Sequence, residues 1–234
     1  MTTPDPTSAE LLHLLHTSDA LYPTGAYAHS HGLEGLVELG VVTDAASLEN
    51  YLAESVLPQL IHAELPWVLL AHAAALRTDL ADLLALDQEC RAQRATRELR
   101  DASARLGRQR IRLAADLTGH PLLQQLIGQV EAGACTGQAP VAAGAVAACA
   151  GAGARGAATA LAYQAVSGQL GASMKLIRLG QQGVQQIMTR LLPQLAHAAE
   201  AAARVARADV GWFAPALDIA SARHESAYTR LFIS

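Results

Sequence analysis

The stretch LYPTGAYAHSHGLE, residues 21–34, gathers two tyrosines, two histidines and a glutamate around Pro23, Gly25 and Gly32. Side chains of these types can hold a metal, move protons or face another protein. Metal ligation needs converging donors. On a helix His29 and His31 would point to nearly opposite faces, unlike the i,i+4 histidines of a zinc helix. No neighbouring Cys or Asp completes a set with Glu34, so no stable metal site is expected. Nucleophilic catalysis has no better footing. There is no GxSxG elbow, and Ser167–Gly168 lies in a helical pattern. Asp218, Ser221 and His224 fall within seven residues of each other, too local for a triad. No glycine-rich phosphate loop occurs either. The residues thus predict neither an enzyme nor a resident cofactor. A tyrosine-bearing turn suits a docking surface instead, because the ring is a rigid apolar body with one hydrogen-bonding tip.

The elements that must carry this turn are helices. Apolar residues recur at three and four along the chain, and the alternation of strands is nearly absent, which predicts an all-α single domain of about eight to ten helices. Thr7 and Glu10 have capping-box spacing, so the first helix starts near Ser8 after a flexible segment 1–7. Pro23 and Gly25 mark a turn. A second helix is expected from Tyr27 to Leu39, ended by Gly40. A third, capped by Thr43 or Asp44, should run to Pro58. Pro66 opens a fourth and Asp79 caps a fifth. From Gly133 to Gly156 the chain thins to Ala and Gly, a loop, a small-residue helix and a turn. Helices then follow over 159–178, from Gly180 to Pro193, and over 194–207.

Eight arginines crowd residues 87–112: Arg91, Arg94, Arg97, Arg100, Arg105, Arg108, Arg110 and Arg112. Asp87–Arg91, Arg94–Glu98, Arg97–Asp101 and Asp101–Arg105 stand at i,i+4, so a solvated helix with ion pairs is the plainer reading. The alternative is a helical nucleic-acid-binding regulator using this face. A net charge of −4 and the lack of interleaved aromatics weigh against nucleic acid as a partner. Three cysteines with no CxxC pair fit a reducing compartment. No signal peptide or convincing membrane span is visible, and the expected location is cytoplasmic.

Two further features suggest contacts between chains. Gly168, Gly171 and Ala172 lie three and four apart, so another backbone can approach that helix face, within the core or in a second subunit. The tail, residues 215–234, ends in apolar Tyr228, Leu231, Phe232 and Ile233, although chain ends are usually polar. It must close the domain's own core or dock on a partner.

Three blocks in order resemble the UreF family of urease accessory proteins. SDALYPTGAYAHSHGLEGLVELGVV at 18–42 is similar to the family's N-terminal signature. MKLIRLGQQGVQQIM at 174–188 is similar to its second block, and DIASARHESAYTRLFIS at 218–234 to its C-terminal block. The resemblance implies an all-helical adaptor that forms a dimer and binds UreD, called UreH in some lineages. Together they recruit the GTPase UreG and dock on apo-urease to deliver nickel. It implies partner-binding positions at Tyr27, His29, Ser30, Gly32, Leu33, Glu34, Lys175, His224, Glu225, Tyr228, Arg230, Leu231 and Phe232. Tyr163, Gly168 and Gly171 fall on the dimer helix, and Thr159 stands where some members carry an arginine. Gln182–Gly183–Val184 also departs from the family's usual sequence after Leu-Gly-Gln. A transient nickel contact at His29 or His31 is compatible with a transfer path, which needs weak and incomplete ligation. Deleting 219–234 is expected to leave a folded chain that no longer captures UreD.

Overall fold

The computed structural model describes residues 8–19, 21–224 and 230–233, with the side chain of His224 left out. Thr7 and segment 1–7, as well as Glu225, Tyr228 and Ser234, lie outside the described residues. No strand occurs among those described.

The helices are α1 (Ser8–Ser18), α2 (Leu33–Glu38), α3 (Ala45–Tyr51), α4 (Leu57–Gln59), α5 (Leu65–Leu76), α6 (Leu80–Ala92), α7 (Arg97–Thr118), α8 (Pro121–Glu131), α9 (Ala139–Cys149), α10 (Ala154–Leu176), α11 (Gln181–Ala202) and α12 (Pro215–His224). Asp44 and Ser47 close a reciprocal capping box at α3, and the Asp79 carboxylate accepts the Asp82 N–H at α6. Both caps match the sequence reading.

Pro58 does not end the third helix. α3, α4 and α5 form one continuous rod joined by π turns at Leu52–Val56 and Leu60–Glu64. Each π turn immediately precedes the short run that holds Pro58 or Pro66. A proline ring offers no N–H, and the wider i→i+5 ring lets the helix pass it. Counting this rod as one helix gives ten α-helices among the described residues. Pro193 likewise sits inside α11 instead of ending it. It lies on the exposed face, where a helix tolerates carbonyls tilting outward to water.

α5 is the axis of the molecule. A helix apolar on all sides must be buried on all sides, and its residues divide between two cores. Leu65 and Val68 join the first core, with Leu33, Leu36, Val166, Leu170, Ile187 and Leu191. Trp67, Ala71, Ala74 and Ala75 join the second, with Leu83, Leu86, Ile111, Leu122 and Leu126. The Ala/Gly stretch proves to be the packing partner of this axis. A Cβ on Gly144 would strike the Val68 carbonyl oxygen, so α9 lies directly against the backbone of α5.

The arginine-rich segment is not one solvated helix. It breaks at residues 93–96, between α6 and α7, and two of the expected i,i+4 pairs find other partners. Asp87 is buried and accepts the Thr136 N–H (2.7 Å), the Thr136 hydroxyl (3.0 Å) and the Gln138 N–H. It thereby ties down the loop that leads into α9. Arg94 instead pairs with Glu64 at 2.7 Å. The three cysteines are unpaired thiols, and no helix among the described residues is long and apolar enough to cross a membrane.

Candidate functional site

The turn after α1 is built by short-range hydrogen bonds. Asp19 Oδ1 accepts the Leu21 N–H, and the Tyr22 carbonyl accepts the Thr24 N–H. Gly25 is left-handed (φ 84°) and leads into a 3₁₀ turn at Ala26–Ala28. His31 (φ 52°) and Gly32 (φ 86°) are left-handed as well. The helix expected over 27–39 therefore splits. Two consecutive positive φ values cannot belong to a right-handed helix, and α2 begins only at Leu33. Gly40 (φ 71°) ends it as predicted.

This break turns α2 so that it meets the end of the chain. Glu34 is buried, and its carboxylate accepts the Leu231 N–H at 2.8 Å and the Phe232 N–H at 3.0 Å. The Ile233 N–H donates to the Ala28 carbonyl at 2.8 Å. α12 packs on the same helix through glycine. A Cβ on Gly32 would strike Leu217, and one on Gly35 would lie 2.7 Å from the Ala220 carbonyl oxygen. Lys175 Nζ stands 5.4 Å from the Phe232 ring centroid, within cation–π range. The blocks at 18–42, 174–188 and 218–234 thus converge on one site.

A second anchor was not foreseen. Glu98, expected to pair with Arg94, instead accepts from the Ser221 hydroxyl at 3.3 Å and lies 3.4 Å from Arg230 Nη1. Thr96 shares a further 3.2 Å hydrogen bond with Ser221. The only local hint was an acid among arginines, and helix spacing assigned it to its own helix.

The proposed partner-binding residues divide by exposure. Tyr27 (76%) and Leu231 (70%) point outward, and Lys175 and Arg230 are exposed. His29, Ser30, Leu33, Glu34 and Phe232 are buried, as is Gly32, so they lie beneath the exposed residues. The tail divides between core and surface in alternate residues. Phe232 (5%) enters the first core, while Leu231 and Ile233 flank it on the outside. Ala220 and Ser221 are fully buried too, so a deletion of 219–234 removes core residues, and a loss of stability is expected in place of an unchanged fold. On α10, Tyr163 is exposed, and nothing lies within 4 Å of a Cβ built on Gly168 or Gly171. Gly168 and Gly171 thus make no close packing contact with the described residues, whereas Ala172 is buried in the first core.

The His29 and His31 ring centroids are 6.0 Å apart. Burial, with the charges of His31 and Arg105, lowers the His29 pKa to about 4. Burial, with Arg94, lowers that of His31 to about 4. Burial thus favours the neutral form of both rings at pH 7. No group of three metal-binding side chains occurs among the described residues. The sign of the linkage is clear. With folded values below the unfolded 6.5, the unfolded chain binds more protons, so stability is full above pH 6.5 and falls as pH drops toward 4. Urea midpoints at pH 7 and pH 5 should differ less in a His29→Gln, His31→Gln variant than in the natural chain. An equal difference would show that neither ring is held neutral by the fold.

Comparison with known proteins gives the family. The UreF family model matches residues 42–192. The urease accessory protein UreF of Actinobacillus pleuropneumoniae is 34% identical over 224 residues, covering 94% of this chain and 97% of that protein. UreF of Polynucleobacter asymbioticus is 31% identical over 229 residues, covering 96% and 97%. UreF of a Bacillus species is 27% identical over 224 residues, covering 96% and 99%. With a family model spanning more than half its length and relatives matched from end to end, the chain belongs to the UreF family of urease accessory proteins.

Proposed function

We propose that this protein is a non-catalytic, dimeric adaptor in the cytoplasm that binds UreD (UreH) and, with it, recruits and modulates the GTPase UreG so that nickel enters apo-urease. The observation that carries this reading is the tail clamp. Glu34 holds the last residues on α2 and leaves Leu231 and Ile233 exposed beside the Ala26–Ala28 turn that displays Tyr27. Buried supports under exposed aromatic and aliphatic side chains are what a protein-docking patch requires. His29, Ser30, Gly32, Leu33 and Glu34 serve by shaping the turn; Tyr27, Lys175, Arg230 and Leu231 make contact. His224, Glu225 and Tyr228 belong to the same block by sequence. The open face around Tyr163, Gly168 and Gly171 supports the dimer, although Thr159 leaves it without the arginine some members use there.

The nucleic-acid alternative loses support from the arginines themselves. Arg94, Arg100, Arg108, Arg110 and Arg112 all donate to oxygens of this chain. A neutral His29–His31 pair fits weak, passing contact with nickel as cargo, in keeping with a transfer route.

The test is urease activity and nickel content in cells carrying the urease operon with and without this chain. Both are expected to be low without it and restored by re-expression. Full activity and full nickel in its absence would overturn the reading.

A further inference from the structure

A cleft of about 500 Å³ opens between α7, α10 and the turn after α1. Along α7, Leu99, Ser103, Leu106 and Arg110 repeat at helical spacing and form one wall; Tyr22 and Gln164 stand opposite. Arg110 is only 9% exposed. Its Nη2 donates to Gln164 Oε1 at 2.9 Å, and its guanidinium lies 5.6 Å from the Tyr22 ring centroid. It forms no ion pair among the described residues. Two acids line the same cleft, but each is engaged elsewhere. Asp19 Oδ1 accepts the Leu21 N–H, and Glu64 is paired with Arg94.

A buried guanidinium cannot shed its proton, and without a counter-charge its desolvation is uncompensated. Neighbouring donors share the same lack. The Gln164 amide has its oxygen engaged by Arg110, and neither its NH₂ nor the Tyr22 hydroxyl donates a hydrogen bond to a described residue. Farther along α10, Gln169 is 5% exposed, lines the cleft, and its Oε1 has no hydrogen-bond partner. The cleft therefore offers a planar cation with flanking donors at one end.

We propose that this cleft binds a small polar molecule through its carboxylate, with the Arg110 guanidinium as the ionic partner and Tyr22 and Gln164 as flanking donors. The fork of Arg110 matches the two oxygens of a carboxylate. The recess of the guanidinium favours a free small molecule over a side chain presented by a docked protein.

Acetate is the probe. Saturation-transfer NMR titrations on the full chain, at ionic strength held constant with sodium chloride, should show saturable acetate binding. Losing a charge-assisted bond should weaken it at least about tenfold in Arg110→Met. Loss of the hydroxyl's hydrogen bond to the carboxylate should weaken it about tenfold in Tyr22→Phe. That second variant decides the matter if Arg110→Met does not fold. No saturable binding to the natural chain, or equal binding by the folded variants, would overturn the proposal.

Discussion

Phe232→Ala is expected to lower the stability of the isolated chain by about 3 kcal/mol, whereas Leu231→Ala, one residue earlier, should change it by less than about 0.5 kcal/mol. The contrast follows from the clamp. Glu34 takes the N–H groups of both residues, which fixes the backbone and sends the two side chains to opposite sides. Phe232 fills the first core, so its truncation leaves a cavity under α2 and α12 as well as losing transfer energy. Leu231 touches solvent and loses little. Their effects on partner capture should be reversed relative to cost in stability. Leu231→Ala should weaken capture of UreD by about tenfold or more if it is a central contact. Chemical denaturation of the two variants, followed by capture at matched folded fraction, checks both halves. Equal losses of stability would mean the tail is not anchored as described.

Glu64→Ala should destabilise the chain by about 2–4 kcal/mol, because it strands a largely buried Arg94. The pair is close, 2.7 Å, with side chains only 14% and 16% exposed. Arg94 Nε also donates to Gln138 Oε1 at 3.2 Å, and Gln138 sits where the Asp87-anchored loop enters α9. An unpaired guanidinium there either breaks this junction or draws water into it. Replacing both partners, as Glu64→Leu with Arg94→Met, should recover most of the loss, since matched apolar groups of similar volume commonly replace a buried pair without penalty. Urea midpoints of the single and double variants measure it. A double variant no better than Glu64→Ala would show that the junction depends on the polar network and not on charge balance.

Much of this molecule is set by local rules and can be read along the chain. The Asp44 and Asp79 caps and the Gly40 stop depend on a few neighbouring backbone groups. The helical period and the family blocks are likewise local patterns. What misleads is a signal whose meaning depends on surroundings. Pro58, Pro66 and Pro193 look like helix stops because proline lacks an N–H. A π turn or an exposed face supplies the missing accommodation, and neither is encoded at the proline itself.

Charged residues show the same division more sharply. Helix spacing paired Asp87 with Arg91 and Arg94 with Glu98, at a gain of a few tenths of a kcal/mol each. Folding instead placed Asp87 on the 136–138 loop, Arg94 on Glu64 and Glu98 on Ser221 and Arg230. A buried charge must find the partner that compensates its desolvation, and that requirement outweighs a solvated helical pair. So the chain alone determined an all-α protein of the UreF family and the blocks that matter. Only the tertiary structure decided that those blocks form one clamp, that Glu34 and Phe232 face inward while Tyr27 and Leu231 face out, and that Arg110 is buried without a counter-charge among the described residues. Local spacing sets helices; burial, which sums over residues nearly two hundred positions apart, sets which side chains remain free to meet another molecule.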